Sequence, residues 1–166
     1  MGLAVANFQA EVKPAWIDAN GHMSFWAYTK LFNEAANAYL LEARLSEQID
    51  AGQKTILHPS QCHIKFLREC FVGDRIVIEF RILDCDDKSI HLFQRMHNCD
   101  TEVTLAVEES VRSNLADQEA SPFSLRERSF HPKIQERISL LMKQHKDAPW
   151  PPEVGATIRL PSVKAN

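Results

Sequence analysis

One short stretch of the chain concentrates the residues able to do chemistry: Trp16-Ile17-Asp18-Ala19-Asn20-Gly21-His22-Met23-Ser24-Phe25-Trp26-Ala27-Tyr28. It holds a carboxylate, an imidazole, a glycine and the rings of Trp16, Phe25, Trp26 and Tyr28, just where a helical pattern begins. A helix start carries unpaired N–H groups and the positive end of the helix dipole, a setting that stabilises a developing oxyanion. An Asp a few residues upstream can attack an electrophile or activate water beside it. The same residues also read as plain structure. Asp18 can be a solvated turn residue before Asn-Gly, His22 a satisfied loop histidine, and the aromatic rings core. The residues alone leave both readings open.

The elements that must hold this stretch follow from periodicity. Phe8 to Lys13 reads as a short strand closed by Pro14. Ser24 is placed as an N-cap, and Phe25, Tyr28, Phe32, Ala35, Ala36 and Tyr39 recur at helical spacing to about Arg44. Strands follow. Cys62, Ile64 and Phe66 alternate with His63 and Lys65; Ile76, Ile78, Phe80 and Ile82 alternate with Glu79 and Arg81. Ile90, Leu92 and Met96 share a face opposite His91, Phe93 and Arg95. Val103, Leu105, Val107 and Val111 form the expected inner face of a last strand, with Thr104, Ala106 and Glu108 outside. Val72-Gly73-Asp74, Cys85 to Lys88 and Asn98-Cys99-Asp100 supply the turns. One helix followed by about four antiparallel strands predicts an α+β domain whose sheet wraps the helix. Beyond about Ser121, Ile134, Ile138, Leu141 and Met142 predict a second helix ended by Pro149, Pro151 and Pro152. Val154 to Leu160 reads as a short strand or an extended segment on the body.

Composition narrows the function classes. The 166 residues are 45% hydrophobic and 25% charged, with a net charge of −3, which speaks against a dedicated nucleic-acid binder. No apolar run is long enough to span a membrane. Met1 to Asn7 lacks the basic start of a secretory leader, and Ala6 replaces the Ser or Thr of a myristoylation site. Cys62, Cys70, Cys85 and Cys99 show neither a C-x-x-C pair nor zinc-ligand spacing. Four reduced, mostly buried thiols in a cytoplasmic protein are expected.

The stretch from Trp16-Ile17-Asp18 through Gly21-His22-Met23 to Tyr28 and Phe32 resembles the active-site segment of hotdog-fold acyl-CoA thioesterases of the 4-hydroxybenzoyl-CoA thioesterase type. The resemblance continues through His63 to Glu69, Val72-Gly73-Asp74, Asp87-Lys88 with His91, and Ala106 with Glu108. The tail is similar to that of a subgroup including betainyl-CoA thioesterases. The resemblance implies a hotdog fold, with residues 1–120 as the thioesterase domain and 121–166 as an extension packed on it. It also implies hydrolysis of a small acyl-CoA to free acid and CoA, with no metal, no cofactor and no serine triad.

Asp18 matches the catalytic carboxylate, as nucleophile or general base, and the backbone N–H near Phe25 matches the oxyanion donor. His22, counted with Asp18 and Phe25 as catalytic, and Asn20 would shape the loop and hydrogen-bond the carboxylate or water, with Trp16, Ser24, Trp26 and Tyr28 near substrate. Hotdog domains pair, so a homodimer is implied, with further pairing to a tetramer open. His63, Arg68 and His91 are then candidates for the wall supplied across the subunit interface. Lys65, Arg68, Lys88 and Arg95 are candidates for the CoA phosphates; with a net charge of −3, a CoA site must be a local basic patch. Two departures stand out: Ser24 replaces a usual Asn, and Ser113 to Asp117 lacks the His–Asp of betainyl-CoA relatives. The competing classes are a hotdog hydratase or dehydratase, a non-catalytic acyl-CoA or acyl-carrier binding protein, and a scaffold.

Overall fold

The computed structural model describes residues 8–50, 53–115, 127–145 and 149–156. Strand β1 (Phe8–Glu11) and a 3₁₀ turn (Pro14–Trp16) lead into helix α1 (Phe25–Glu42). A small hairpin, β2 (Gln48–Asp50) and β3 (Gln53–Lys54), precedes the long strands β4 (Ile56–Phe66), β5 (Arg75–Cys85), β6 (Ser89–Asn98) and β7 (Thr104–Leu115). Helix α2 (Pro132–His145) follows. The main sheet is antiparallel in the order β1-β5-β6-β7-β4. The expected α+β hotdog architecture is therefore present. The meander, however, has three strands, and β4 pairs with β7 at the edge rather than with its sequence neighbour β5. The strand predicted at Cys62 begins at Ile56, hidden in the sequence by Pro59 next to a register shift at Pro59/Gln61. An edge strand tolerates that proline because one side of it need not donate to a ladder.

Helix α1 contains neither Gly nor Pro and buries Ala27, Tyr28, Leu31, Phe32, Ala35, Ala36, Tyr39 and Leu40, a continuous i, i+3, i+4 stripe. It stops two residues short of the expected Arg44. Arg44 turns to φ 55°, and its N–H donates to Leu41 O at 3.0 Å while Leu45 N–H donates to Leu40 O at 2.8 Å. This Schellman-type closure satisfies the last carbonyls and seals Leu45 fully inside the core.

The core has two ends. At the start of α1, Trp16, Met23, Tyr28, Leu31 and Phe32 pack on Ile76, Ile78 and Met96. Around its C-terminal half, Tyr39 and Leu40 meet Phe80, Ile82, Ile90 and Leu92 together with Ile134 and Ile138 of α2. The i, i+4 pair that predicted α2 thus joins the same core.

Strand β7 reverses the expected faces. Arg112 reaches Asn33 and Asn37 of α1, so Glu108, Ser110 and Arg112 point toward the helix, and Val107 packs on the outer face with Leu83 and Phe93. Polar residues survive there because most of their polar atoms satisfy one another, with Gln94 Oε1 and Arg112 Nε left without a partner. The cysteines also differ from expectation. All four are free, but only Cys70 is buried; Cys62 lies on the edge strand and Cys99 in a turn, where less is packed over them. Residues 116–126 and 157–166 lie outside the described part, which takes in most of the segment expected from Val154 to Leu160.

Candidate active site

From Trp16 the chain folds back on itself to reach α1. Ser24 N–H donates to Trp16 O at 2.8 Å, Ile17 bridges Met23, and Asp18 N–H donates to His22 O at 2.9 Å. Asp18 is therefore held opposite His22, two residues before the N-cap Ser24. Gly21, at φ 88°, closes the turn, its N–H donating to Asp18 O at 3.1 Å. A Cβ at Gly21 would meet open space, so Gly21→Ala is strained in backbone conformation alone. The expected loss is about 1–2 kcal/mol, measurable as a fall in Tm by calorimetry.

The Asp18 carboxylate is exposed, and its Oδ1 accepts the Asn20 N–H at 2.8 Å. This Asx turn fixes one oxygen. Oδ2 makes no hydrogen bond among the described residues.

Phe25 opens α1, so its N–H and that of Trp26 have no carbonyl four residues back. Ser24 occupies the predicted N-cap position, but its hydroxyl makes no capping bond, and no acidic residue lies in the first turn. No side-chain anion caps the helix from within its own first turn.

Beside it lies a cavity of about 330 Å³ lined by His22, Met23, Phe25, Tyr28, Phe66, Leu67, Arg68 and Glu69. Tyr28 and Phe66 meet edge to face at 5.2 Å, and the Tyr28 hydroxyl donates to Arg68 O at 3.3 Å. Burial pushes the Tyr28 phenol well up, aided by Cys70, Asp74 and Glu69, so it stays protonated. His22 turns to Glu69, with Nε2 3.5 Å from Oε1, and stands edge-on to Phe71 at 5.9 Å.

Thiol chemistry is disfavoured nearby. Burial pushes Cys70 up to about 12, helped by Asp74. Cys62, exposed along the edge strand but with its Sγ turned to Glu108, is likewise pushed up to about 12 by burial and by that carboxylate.

The structure brings Asp18, Asn20, His22, Ser24, Phe25, Tyr28 and Arg68 to one end of the sheet. Asn20 contributes its backbone N–H rather than its amide side chain. Trp16 is core, 8% exposed, with Lys13 and Lys30 ammonium groups 5.4 and 5.6 Å from its ring centroid. Trp26 is half-exposed and does not line the cavity.

His63 and His91 are elsewhere. Cys62, Ile64 and Phe66 face the helix, which puts His63 and Lys65 on the outer face. His91 is also on the outer face, its Nε2 2.8 Å from Glu109 Oε1. Lys88 follows β5 at the opposite end of the sheet, and Arg95 pairs with Glu153 at 3.4 Å. Of the four proposed phosphate cations, only Arg68 borders the cavity.

Sequence reasoning missed the polar row beneath α1. Glu108 Oε1 accepts Gln94 Nε2 at 2.9 Å and the Ser110 hydroxyl at 3.2 Å, and Cys62 Sγ lies 3.4 Å from Oε2. Arg112 donates to Asn37 at 3.1 Å and Asn33 at 3.0 Å. The available signal was the even spacing of Glu108, Ser110 and Arg112, with Asn33 and Asn37 one helical turn apart. A strand reading keyed to valines discards it.

A helix wrapped by an antiparallel sheet, with a loop leading into the helix start, defines a hotdog domain. The chain belongs to the Thioesterase-like superfamily, whose sequence profile matches residues 12–158. It is 26% identical over 164 residues to the betainyl-CoA thioesterase of Pseudomonas aeruginosa, covering 99% of this chain and 100% of that one. It is 30% identical over 159 residues to the L-carnitine dehydrogenase/betainyl-CoA thioesterase of Agrobacterium fabrum, covering 94% of this chain but spanning only 31% of that protein. Among solved structures, a Staphylococcus aureus protein in complex with CoA shares the fold at TM-score 0.80 and 22% identity, over 93% of this chain and 94% of that one. The 1,4-dihydroxy-2-naphthoyl-CoA thioesterase of Synechocystis does so at TM-score 0.66 and 18% identity, over 80% and 94%.

Proposed function

We propose that this protein hydrolyses a small acyl-CoA to the free acid and CoA, with Asp18 as the reacting carboxylate. The observation that carries the reading is the loop from Trp16 to Ser24. It pairs Asp18 with His22 just ahead of α1, one carboxylate oxygen fixed and the other open, and His22 in turn lines the cavity with Phe25, Tyr28 and Phe66. The thioester carbonyl oxygen lies at the first-turn N–H groups near Phe25, which stabilise the charge it gains. Either Asp18 attacks the carbonyl carbon, the C–S bond breaks and water then cleaves the acyl–Asp18 anhydride to the free acid, or Asp18 takes a proton from the water that attacks and the C–S bond breaks directly. CoA leaves as a thiolate, whose conjugate thiol has a pKa near that of cysteine, roughly 8.5. A strong general acid is therefore unnecessary, and every step runs through this chain's residues and water.

A trimethylammonium acyl group is the acyl class two observations favour: the betainyl-CoA thioesterases among the relatives, and three aromatic walls with the Glu69 carboxylate at the cavity. Trp16 does not take part in such a cage, because lysines already cover its ring. A thiol-release screen over short, branched, aromatic and trimethylammonium acyl-CoAs tests both levels. Turnover of none of them overturns the hydrolase reading, and indifference to the trimethylammonium group overturns the narrower one. An enoyl-CoA hydration assay in parallel reports the hydratase alternative.

The protein works as a homodimer in this reading. Strand β4 has a neighbour, β7, on one side only, is exposed from His58 to Cys62, and lies near the exposed rings of Phe25 and Phe66. An unpaired strand edge flanked by apolar surface is a template for a second copy. Light scattering should return twice the chain mass; a monomer at assay concentration rejects the pairing.

A further inference from the structure

We infer that the segment Pro149–Ala156 is a positioning element for the candidate site, acting from the far side of the sheet through Leu67. The inference rests on reading the cavity at His22, Tyr28 and Phe66 as the thioester site.

The segment runs over the outer face of the sheet, opposite α1, and is tied there at four places. Arg81 Nη1 donates to Pro149 O at 2.7 Å. The Trp150 ring stands edge-on to His91 at 5.9 Å. Arg95 Nη2 lies 3.4 Å from Glu153 Oε2, its guanidinium 5.5 Å from the Phe93 ring centroid. Gly155 N–H donates to Glu109 Oε2 at 2.8 Å, and the other oxygen of Glu109 is 2.8 Å from His91 Nε2. Gly155 sits at φ 73°, which a side chain would strain.

These ties seat Val154 on Leu83, Phe93 and Val107, a small apolar cluster separate from the core under α1. Leu67 packs against the same cluster, and Leu67 also forms part of the cavity wall. Its backbone is pinned: the N–H groups of Leu67 and Arg68 both donate to Leu105 O, at 2.8 and 3.0 Å. The Leu67 side chain is therefore set by the cluster that Val154 completes. Packed interiors answer a lost neighbour by partial collapse, and partly buried Leu67 is free to move inward. Such a shift alters the cavity wall without touching the Asp18 loop, which has its own hydrogen bonds. The segment is thus neither a lid over the pocket nor a part of the reacting machinery.

Two full-chain variants test this. Val154→Ala removes the packing, and Gly155→Pro removes the N–H that Glu109 accepts. Thiol release is followed over acyl-CoA concentration, Tm is recorded, and the Leu67 methyl signals are read by NMR in leucine-labelled protein. The expected result is a KM raised about threefold to tenfold with kcat kept within about twofold, and displaced Leu67 methyls, in both variants. Leu67→Ala should raise KM alike, and adding Val154→Ala to it should bring little more. Unmoved Leu67 signals, or an unchanged KM beside a lowered Tm, would show a mere cover and overturn the inference. Failure of the site reading shows differently, as wild-type protein that turns over no acyl-CoA; the Leu67 signals then still decide the positioning role.

Discussion

Asp18→Asn lowers kcat for acyl-CoA hydrolysis by about 10²- to 10⁴-fold and leaves the fold and CoA-ester binding in place. The amide keeps the size of the carboxylate and can still accept the Asn20 N–H that shapes the loop. What it lacks is the charge and basicity needed to attack a carbonyl or deprotonate water. Steady-state thiol release, with CoA-ester binding by calorimetry as the control, measures the split. A mutant that hydrolyses at the wild-type rate removes Asp18 from the mechanism. A mutant that binds and never turns over, beside a wild type equally inactive, points to a binding protein. A single turnover in oxygen-18 water then tests the nucleophile role of the carboxylate. Label found in the Asp18 peptide marks a mixed anhydride opened at the enzyme carboxyl; label only in the released acid marks direct attack by water or an anhydride opened at the acyl carbon.

Arg112→Met costs about 1–3 kcal/mol for each part-buried acceptor it leaves unpaired, on Asn33 and Asn37, and removes a charge that steadies buried Glu108. Arg112 is 1% exposed and Glu108 4%. Burial raises the Glu108 pKa, while hydrogen bonds from Cys62, Ser110 and Gln94 and the charge of Arg112 pull it down. A carboxyl with a raised folded pKa holds its proton where the unfolded chain has released it. Its contribution to stability is full below the ordinary carboxylate range and is lost as pH rises through its own raised value. Without Arg112 the raised value climbs further, so the deficit of Arg112→Met should be largest near neutral pH and shrink on acidification. Replacing both side chains, in Glu108→Gln with Arg112→Met, should recover the pH-dependent part of the loss. Denaturant unfolding at acidic and neutral pH provides the check. A deficit that ignores pH, or a double variant as weak as the single one, contradicts the assignment of Glu108 as the group that Arg112 steadies.

The buried polar row of β7 also marks where reading the chain in one dimension stops. Helix α1 was legible because its apolar residues recur within one helix and its entry residue Ser24 is local. The three-strand meander was legible from alternation and from the turns at Cys85–Lys88 and Asn98–Asp100. The placement of β4 was not. Its partner β7 is some fifty residues away, and nothing in either strand alone chooses between that pairing and one with β5. The faces of β7 were misread for the same reason. Valines at 103, 107 and 111 look like an inner stripe until Asn33 and Asn37 are seen to offer Arg112 a place beneath the helix.

The candidate site divides along that line. The sequence by itself determined the candidate segment, since Asp18, Gly21, His22 and the helix start are neighbours whose arrangement depends on local turn geometry. It likewise determined that a helix and a sheet must pack around one another, because each has a single apolar face to bury. Only the tertiary structure decided which distant residues join that segment. Arg68, Phe66 and Glu69 border the cavity, whereas His63 and His91 stand on the far face and Trp16 is core. The physical reason is that strand pairing and sheet curvature arise from contacts distant in the chain. A one-residue change of register would exchange the two faces of a strand while leaving its composition untouched.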